Sequence, residues 1–163
     1  MFNELSKFIS VICVALTINC YGQLKQVDDK LAIIKDESYI EWFTGEDFKM
    51  WTPNSADLMM ANEILVDAIN NGEFYFLKTK SISELKRNYY RQYLCYVDAN
   101  GEKIIYINSR CKLSTDYDKN NKPVKFDWKT KMVKTADGGE CYWNIKINVT
   151  THKYLELKIN MQG

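Results

Sequence analysis

The stretch TADGGECYWNIKINVTTHKYLELKIN, Thr135 to Asn160, decides how the chain folds. In its first half Cys141, Trp143, Ile145, Ile147 and Val149 share one side of an extended chain, while Tyr142, Asn144, Lys146 and Asn148 share the other. In its second half Leu155, Leu157, Ile159 and the following Met161 alternate with Tyr154, Glu156, Lys158 and Asn160. Successive side chains of a strand point to opposite faces, so the pattern predicts two strands with one dry face and one wet face. Thr150-Thr151-His152-Lys153 is the tight turn between them. The cluster Asp137-Gly138-Gly139-Glu140, ahead of Cys141, reads as the corner that leads into the pair, because glycine takes positive φ at no steric cost. A calcium loop needs several oxygen ligands at regular spacing, and Asp137 and Glu140 alone do not supply them.

Upstream, the clearest helix lies in MWTPNSADLMMANEILVDAINNGEF, Met50 to Phe74. Thr52 is read as its cap, Pro53 as its first residue and Asn70-Asn71-Gly72 as its stop. Leu58, Ala61, Leu65, Ala68 and Ile69 recur at helical spacing, giving one amphipathic helix of about five turns. Strand chemistry follows. Phe74 to Lys78 is a short strand candidate, Ser81 to Asn88 a brief helical turn, and Tyr89 to Val97 a strand. Asp98-Ala99-Asn100-Gly101 is a hairpin turn before the strand EKIIYIN, which is apolar on both sides and so central in the sheet. Ser114 to Pro123 reads as a loop and Phe126 to Thr135 as another strand. Ahead of the helix, residues 23–50 form an arm in which Tyr39 to Phe43 is a strand candidate. The order predicts a single α+β domain over residues 51–163. One N-terminal amphipathic helix packs on a four- to five-stranded antiparallel sheet.

Residues 1–22 read as a signal peptide: Lys7 precedes an apolar run from Phe8 to Ile18, and Cys20-Tyr21-Gly22 fits a cut ahead of Gln23. The run is short for a transmembrane helix, which needs roughly 20 residues. A retained anchor is one alternative. Lipidation at Cys20 is another, against which Asn19 speaks, since lipoprotein sites want a small residue before the cysteine. The expected location is exported: periplasmic, outer-surface or secreted. With 22 Lys+Arg against 21 Asp+Glu there is no basic field to recruit nucleic acid. No membrane association is expected unless the leader is retained or Cys20 is lipidated, and no cofactor is expected.

An exported product keeps Cys95, Cys111 and Cys141. Cys111 and Cys141, near strand ends, pair in one reading; in the other, all three are buried thiols behaving as small apolar residues. No CxxC or Cys/His spacing points to zinc. Cys95 sits inside a strand with no histidine nearby in sequence to activate it as a nucleophile. His152, the one histidine, falls on a hairpin tip and reads as a surface residue. KRNYYRQYLCYV, Lys86 to Val97, interleaves Lys86, Arg87 and Arg91 with Tyr89, Tyr90, Tyr93 and Tyr96. Such a strand can stack sugars or single-stranded nucleic acid, but more often it buries one row and shows the other to solvent. Trp51, Trp128 and Trp143 read as core pieces. Asn148-Val149-Thr150 fits a glycosylation acceptor, which a bacterial-type leader makes uninformative.

Trp51-Thr52-Pro53 opening a helix, YRQY at Tyr90 to Tyr93, GEKIIYIN at Gly101 to Asn108, and DGGECYW followed by KIN together resemble a group of small exported proteins of unknown function from Bacteroidota. The group implies export and carries no activity or site residues with it. The helix-then-hairpins order resembles cystatin-like folds, with the NTF2-like cone as the alternative. Two functions are compatible with this. One is a non-catalytic binding module that works through the sheet's exposed face or the loop from Ser114 to Pro123, with a protein, small molecule or glycan as partner. The other is an exported enzyme with a pocket between helix and sheet, which acidic residues of raised pKa would mark.

Overall fold

The computed structural model describes residues 28–160; the leader, Cys20 and Met161 lie outside the described residues. The elements run β1 (Leu31–Ile33), α1 (Ser38–Thr44), β2 (Lys49–Met50), α2 (Ser55–Asn70), α3 (Ile82–Asn88), β3 (Tyr90–Val97), β4 (Lys103–Arg110), β5 (Thr115–Tyr117), β6 (Pro123–Lys125), a 3-10 turn at Gly139–Cys141, β7 (Tyr142–Asn148) and β8 (Lys153–Ile159). The fold is α+β. Strands β3, β4, β7 and β8 make an antiparallel meander. The outer edge of β3 is shared: β1 pairs its first half in parallel, and β2 pairs its last two residues antiparallel. Residues 28–50 thus place two strands and a helix against the sheet, and the long helix α2 is neither the first nor the only one.

Local chemistry sets these elements. Asn54, not Thr52, caps α2: its side chain accepts from the N–H groups of Ala56 and Asp57, and the Asp57 carboxylate accepts from the Asn54 N–H at 2.8 Å. This reciprocal pair satisfies the helix's first orphan donors and leaves Pro53 outside it. Gly72, at φ +85, ends the helix as expected. Its reversal throws Phe74 to Phe76 into successive turns rather than the expected strand, and Phe74 sets its ring edge-on to Trp143 at 5.0 Å. The β3–β4 turn is closed by the Gly101 N–H donating to the Asp98 carbonyl at 3.0 Å, with Gly101 alone at positive φ. The segment Tyr39 to Phe43 is helical instead of extended, because Ile40 and Phe43, a turn apart, meet the sheet on one side of α1.

The β7–β8 hairpin departs from strict alternation. Lys146 faces Glu156 while Ile147 faces Tyr154, so Leu155 is an extra residue in a bulge. Tyr154, Leu157 and Ile159 consequently pack toward the core, and Leu155, expected inside, is 53% exposed.

The two faces of the sheet are covered by different means. On one, Ala61, Ile64, Leu65, Ala68 and Ile69 of α2 meet Tyr93, Cys95, Ile105, Ile107, Ile145 and Ile147 in a filled core. On the other, expected to be wet, Leu94, Tyr96, Ile104 and Tyr106 are buried beneath Ile40 of α1 and Met132. Met132 belongs to the segment Phe126 to Thr135, which the sequence pattern predicts as a strand. It is irregular, with Phe126, Trp128 and Met132 buried. Ser114 to Pro123, predicted as loop, carries most of the β5–β6 hairpin.

Candidate functional site

On the loop-covered face three carboxamides stand in register across adjacent strands: Gln92 opposite Asn108, and Asn108 opposite Asn144. A strand that buries apolar residues on both faces gains nothing from an amide there unless the amide is bonded. The first two are. Gln92 Nε2 donates to the carbonyls of Trp128 at 2.6 Å and Lys131 at 2.7 Å. Asn108 Nδ2 donates to the Val133 carbonyl at 3.3 Å and to Gln92 Oε1 at 3.2 Å. Asn160, at the end of β8, donates to the Thr135 carbonyl. Side-chain amides therefore replace the strand ladder that the irregular segment lacks. They explain how it lies flat on the sheet.

Among the described residues the third amide, Asn144, holds no carbonyl of the cover. It lines a cavity of about 360 Å³ together with Phe43, Tyr106, Asn108, Asn160 and Lys134. Burial, with Tyr96 and the Glu156 charge adding, pushes the Tyr106 phenol well above its ordinary value, so it stays a neutral donor and acceptor. Lys134 Nζ donates to the Trp42 carbonyl and stands 5.1 Å from the Trp42 ring centre and 5.4 Å from that of Phe43. The Trp42 carbonyl and the two rings thus engage its charge at the cavity wall. The lining is amide, ring and hydroxyl with this one lysine, and no carboxylate is among its residues.

Two features hold the cavity's rim. Cys111 and Cys141 form a disulfide with their Cα atoms 4.9 Å apart, and the Cys111 N–H donates to the Cys141 carbonyl at 2.9 Å. The bridge spans 30 residues, which include the β5–β6 hairpin and the irregular cover. The cover is a loop cinched at its base. Gly138, at φ +96, lies beneath the neighbouring Tyr142 ring, where a Cβ would stand 2.5 Å from Cδ2. The Asp137-Gly138-Gly139-Glu140 cluster is therefore a corner, as its composition indicates, and the corner seats a rim aromatic.

The other sequence candidates fall elsewhere. His152 is exposed on the β7–β8 tip at φ +57. Cys95 is buried in the helix-side core, and burial, with the Asp57 charge adding, pushes its thiol up to about 12. KRNYYRQYLCYV shows no solvent row: Tyr93 and Tyr96 are buried, and Arg91 is fully buried with Nη2 2.6 Å from Asp28 Oδ1. Arg110 is buried too, its guanidinium over the Phe126 ring at 5.2 Å, and desolvation draws its pKa down. Nothing in the sequence singles out these two arginines, or the carboxamide row, since burial depends on which loop folds over them. Among the described residues no three His, Cys, Asp or Glu side chains converge as a metal group requires. No described helix is long and apolar enough to cross a membrane. No protein-family model matches the chain, and no curated protein or solved structure is detectably similar to it.

Proposed function

We propose that the chain is a small exported binding module, and that it takes a small-molecule or glycan ligand in the cavity beside Asn144. The observation that carries this reading is the contrast between interfaces. The centre of the helix–sheet interface, where an enzyme pocket would be expected, is filled with apolar side chains, and the space at its end, between Asp57, Met60, Lys103 and His152, is a more open one of about 390 Å³. The more enclosed cavity lies on the opposite face, in the size range of small-molecule sites, and is lined by amides, hydroxyls and rings with Lys134 as its one charged residue. The carboxyl groups with a clear shift, Glu84 and Asp116, are both lowered, whereas a general acid needs a raised one. The disulfide supports an oxidising compartment and so the export reading. The order of short strand β2, long helix α2 and four-stranded meander supports a cystatin-like arrangement over an NTF2-like one. The motifs named above support kinship with exported Bacteroidota proteins.

Two measurements test this. Intact mass of the protein from its native envelope and medium, before and after thiol reduction, should show a chain beginning at Gln23 with one disulfide. A lipid-shifted mass beginning at Cys20 would make it a tethered lipoprotein, and an uncleaved chain with free thiols would end the export reading. Separately, a chemically mixed fragment library screened by amide-resolved NMR should shift resonances of Tyr106, Asn144 and Asn160 together. Shifts confined to the α2 face, or none at the cavity, would overturn the assignment of the site.

A further inference from the structure

Resting on that reading of the cavity, we infer that its ligand is an N-acetylated amino sugar, recognised through its secondary amide by Asn144. The neighbouring amides set the pattern. Gln92, Asn108 and Asn160 each spend their NH2 group on amide carbonyls of the cover, at Trp128, Lys131, Val133 and Thr135. This face of the sheet is thus an amide-reading surface. Asn144, in register between Asn108 and Lys158, stands on β7 between the amides that hold the Val133 and Thr135 carbonyls, and it lines the cavity. A ligand amide placed there would continue the row, its C=O accepting from Asn144 Nδ2. The Oδ1 atoms of Asn108 and Asn160, whose NH2 groups face the cover, remain to accept from ligand N–H or O–H groups.

The rest of the lining selects the body of the ligand. Phe43, Tyr106 and Tyr142 line the cavity and supply apolar carbon for one side of a pyranose. The one cation, Lys134, is engaged by the Trp42 carbonyl and two rings, so little charge is offered to an acidic ligand. An extended peptide also carries secondary amides, but peptides gain most affinity by pairing main chain with a free strand edge. The cavity lies on the faces of β4 and β7, each of which is paired on both sides. The sheet's free edge on that side is the outer side of β8, beyond β7, so on the faces of β4 and β7 a compact ligand held by side chains fits better.

Titration of the full exported chain with N,N′-diacetylchitobiose, cellobiose and an N-acetylated, C-amidated dialanine, followed by amide NMR and calorimetry, tests the inference. Chitobiose should shift the Asn144 side-chain amide and bind at least tenfold more tightly than cellobiose, which has the same linkage but no acetamido group. Asn144→Ala should lower chitobiose affinity at least tenfold while leaving the backbone spectrum of α2 unchanged. Asn144→Gln should recover part of it. Equal binding of the two sugars, binding of the capped dipeptide alone, or chitobiose shifts away from Asn144 would each overturn the inference. So would the absence of any saccharide binding. In that last case, fragment hits at the same cavity would leave the binding-module reading standing, and their absence would remove both.

Discussion

The two faces of this sheet are built from opposite materials. On the α2 face, a regular helix satisfies its own backbone and packs mainly apolar surface on the sheet, so the centre of that interface is sealed. On the other face, the cover is mostly chain without regular structure, whose carbonyls must be answered by Gln92, Asn108 and Asn160. Side-chain answers are discrete. They pin the cover at points and leave space between them, and the cavity is such a space. One face accounts for stability, and on the function proposed above the other supplies the binding site.

The largest effect expected from this contrast is in the sealed face. Leu65→Ala, at a position 1% exposed, should cost up to about 5 kcal/mol in urea unfolding, because a rigid interface cannot collapse around the void. Met132→Ala should sit at the lower end of the same range, near 2 kcal/mol, since an irregular cover can relax. Equal losses would break the contrast. Replacing both Cys111 and Cys141 by serine should cost about 3–4 kcal/mol from the entropy of a 30-residue loop. Proteolysis should then cut within residues 112–140 first. Cleavage beginning in α2 would contradict the assignment of the bridge to the cover.

Gln92→Leu keeps bulk but leaves the Trp128 and Lys131 carbonyls without their donor, and should cost about 1–3 kcal/mol. A neutral result would mean that water replaces the amide and that the pins are dispensable. The smallest effect concerns pH. Thr79 Oγ1, with the N–H groups of Thr79 and Lys78, donates to the Glu84 carboxylate and holds its pKa below the ordinary 4.5. A lowered folded pKa contributes stability that is present above 4.5 and is lost as pH falls through the folded value. Glu84→Gln should therefore flatten the acid limb of a stability-against-pH curve, while leaving its slope between pH 6 and 8 unchanged.

Much of the helix face was legible in the sequence. The spacing of Ala61, Leu65, Ala68 and Ile69 and the Asn-Gly turn at Gly101 depend on residues close together in the chain. The apolar doubling of Ile104 to Ile107 is of the same local kind. The cover was not legible. Phe126, Trp128 and Met132 carry strand-like composition, yet they pair with no strand, and contacts with distant residues such as Ala32, Tyr90, Gln92 and Asn108 define their place. The β7–β8 bulge escaped for a related reason: both Tyr154 and Leu155 suit a core position, and the turn geometry chose between them. Cys111 and Cys141 were legible as candidates, and their pairing was open until β4 and β7 were seen as neighbours.

Hydrogen exchange read by mass spectrometry on the oxidised, ligand-free protein tests the contrast most directly. Amides of residues 127–136 should exchange through local opening, at least a hundredfold faster than those of Leu65 to Ile69 in α2, which should open only with global unfolding. If both segments exchange at the same globally limited rate, the cover is as sealed as the helix. The account of one face for stability and one for binding would then be wrong.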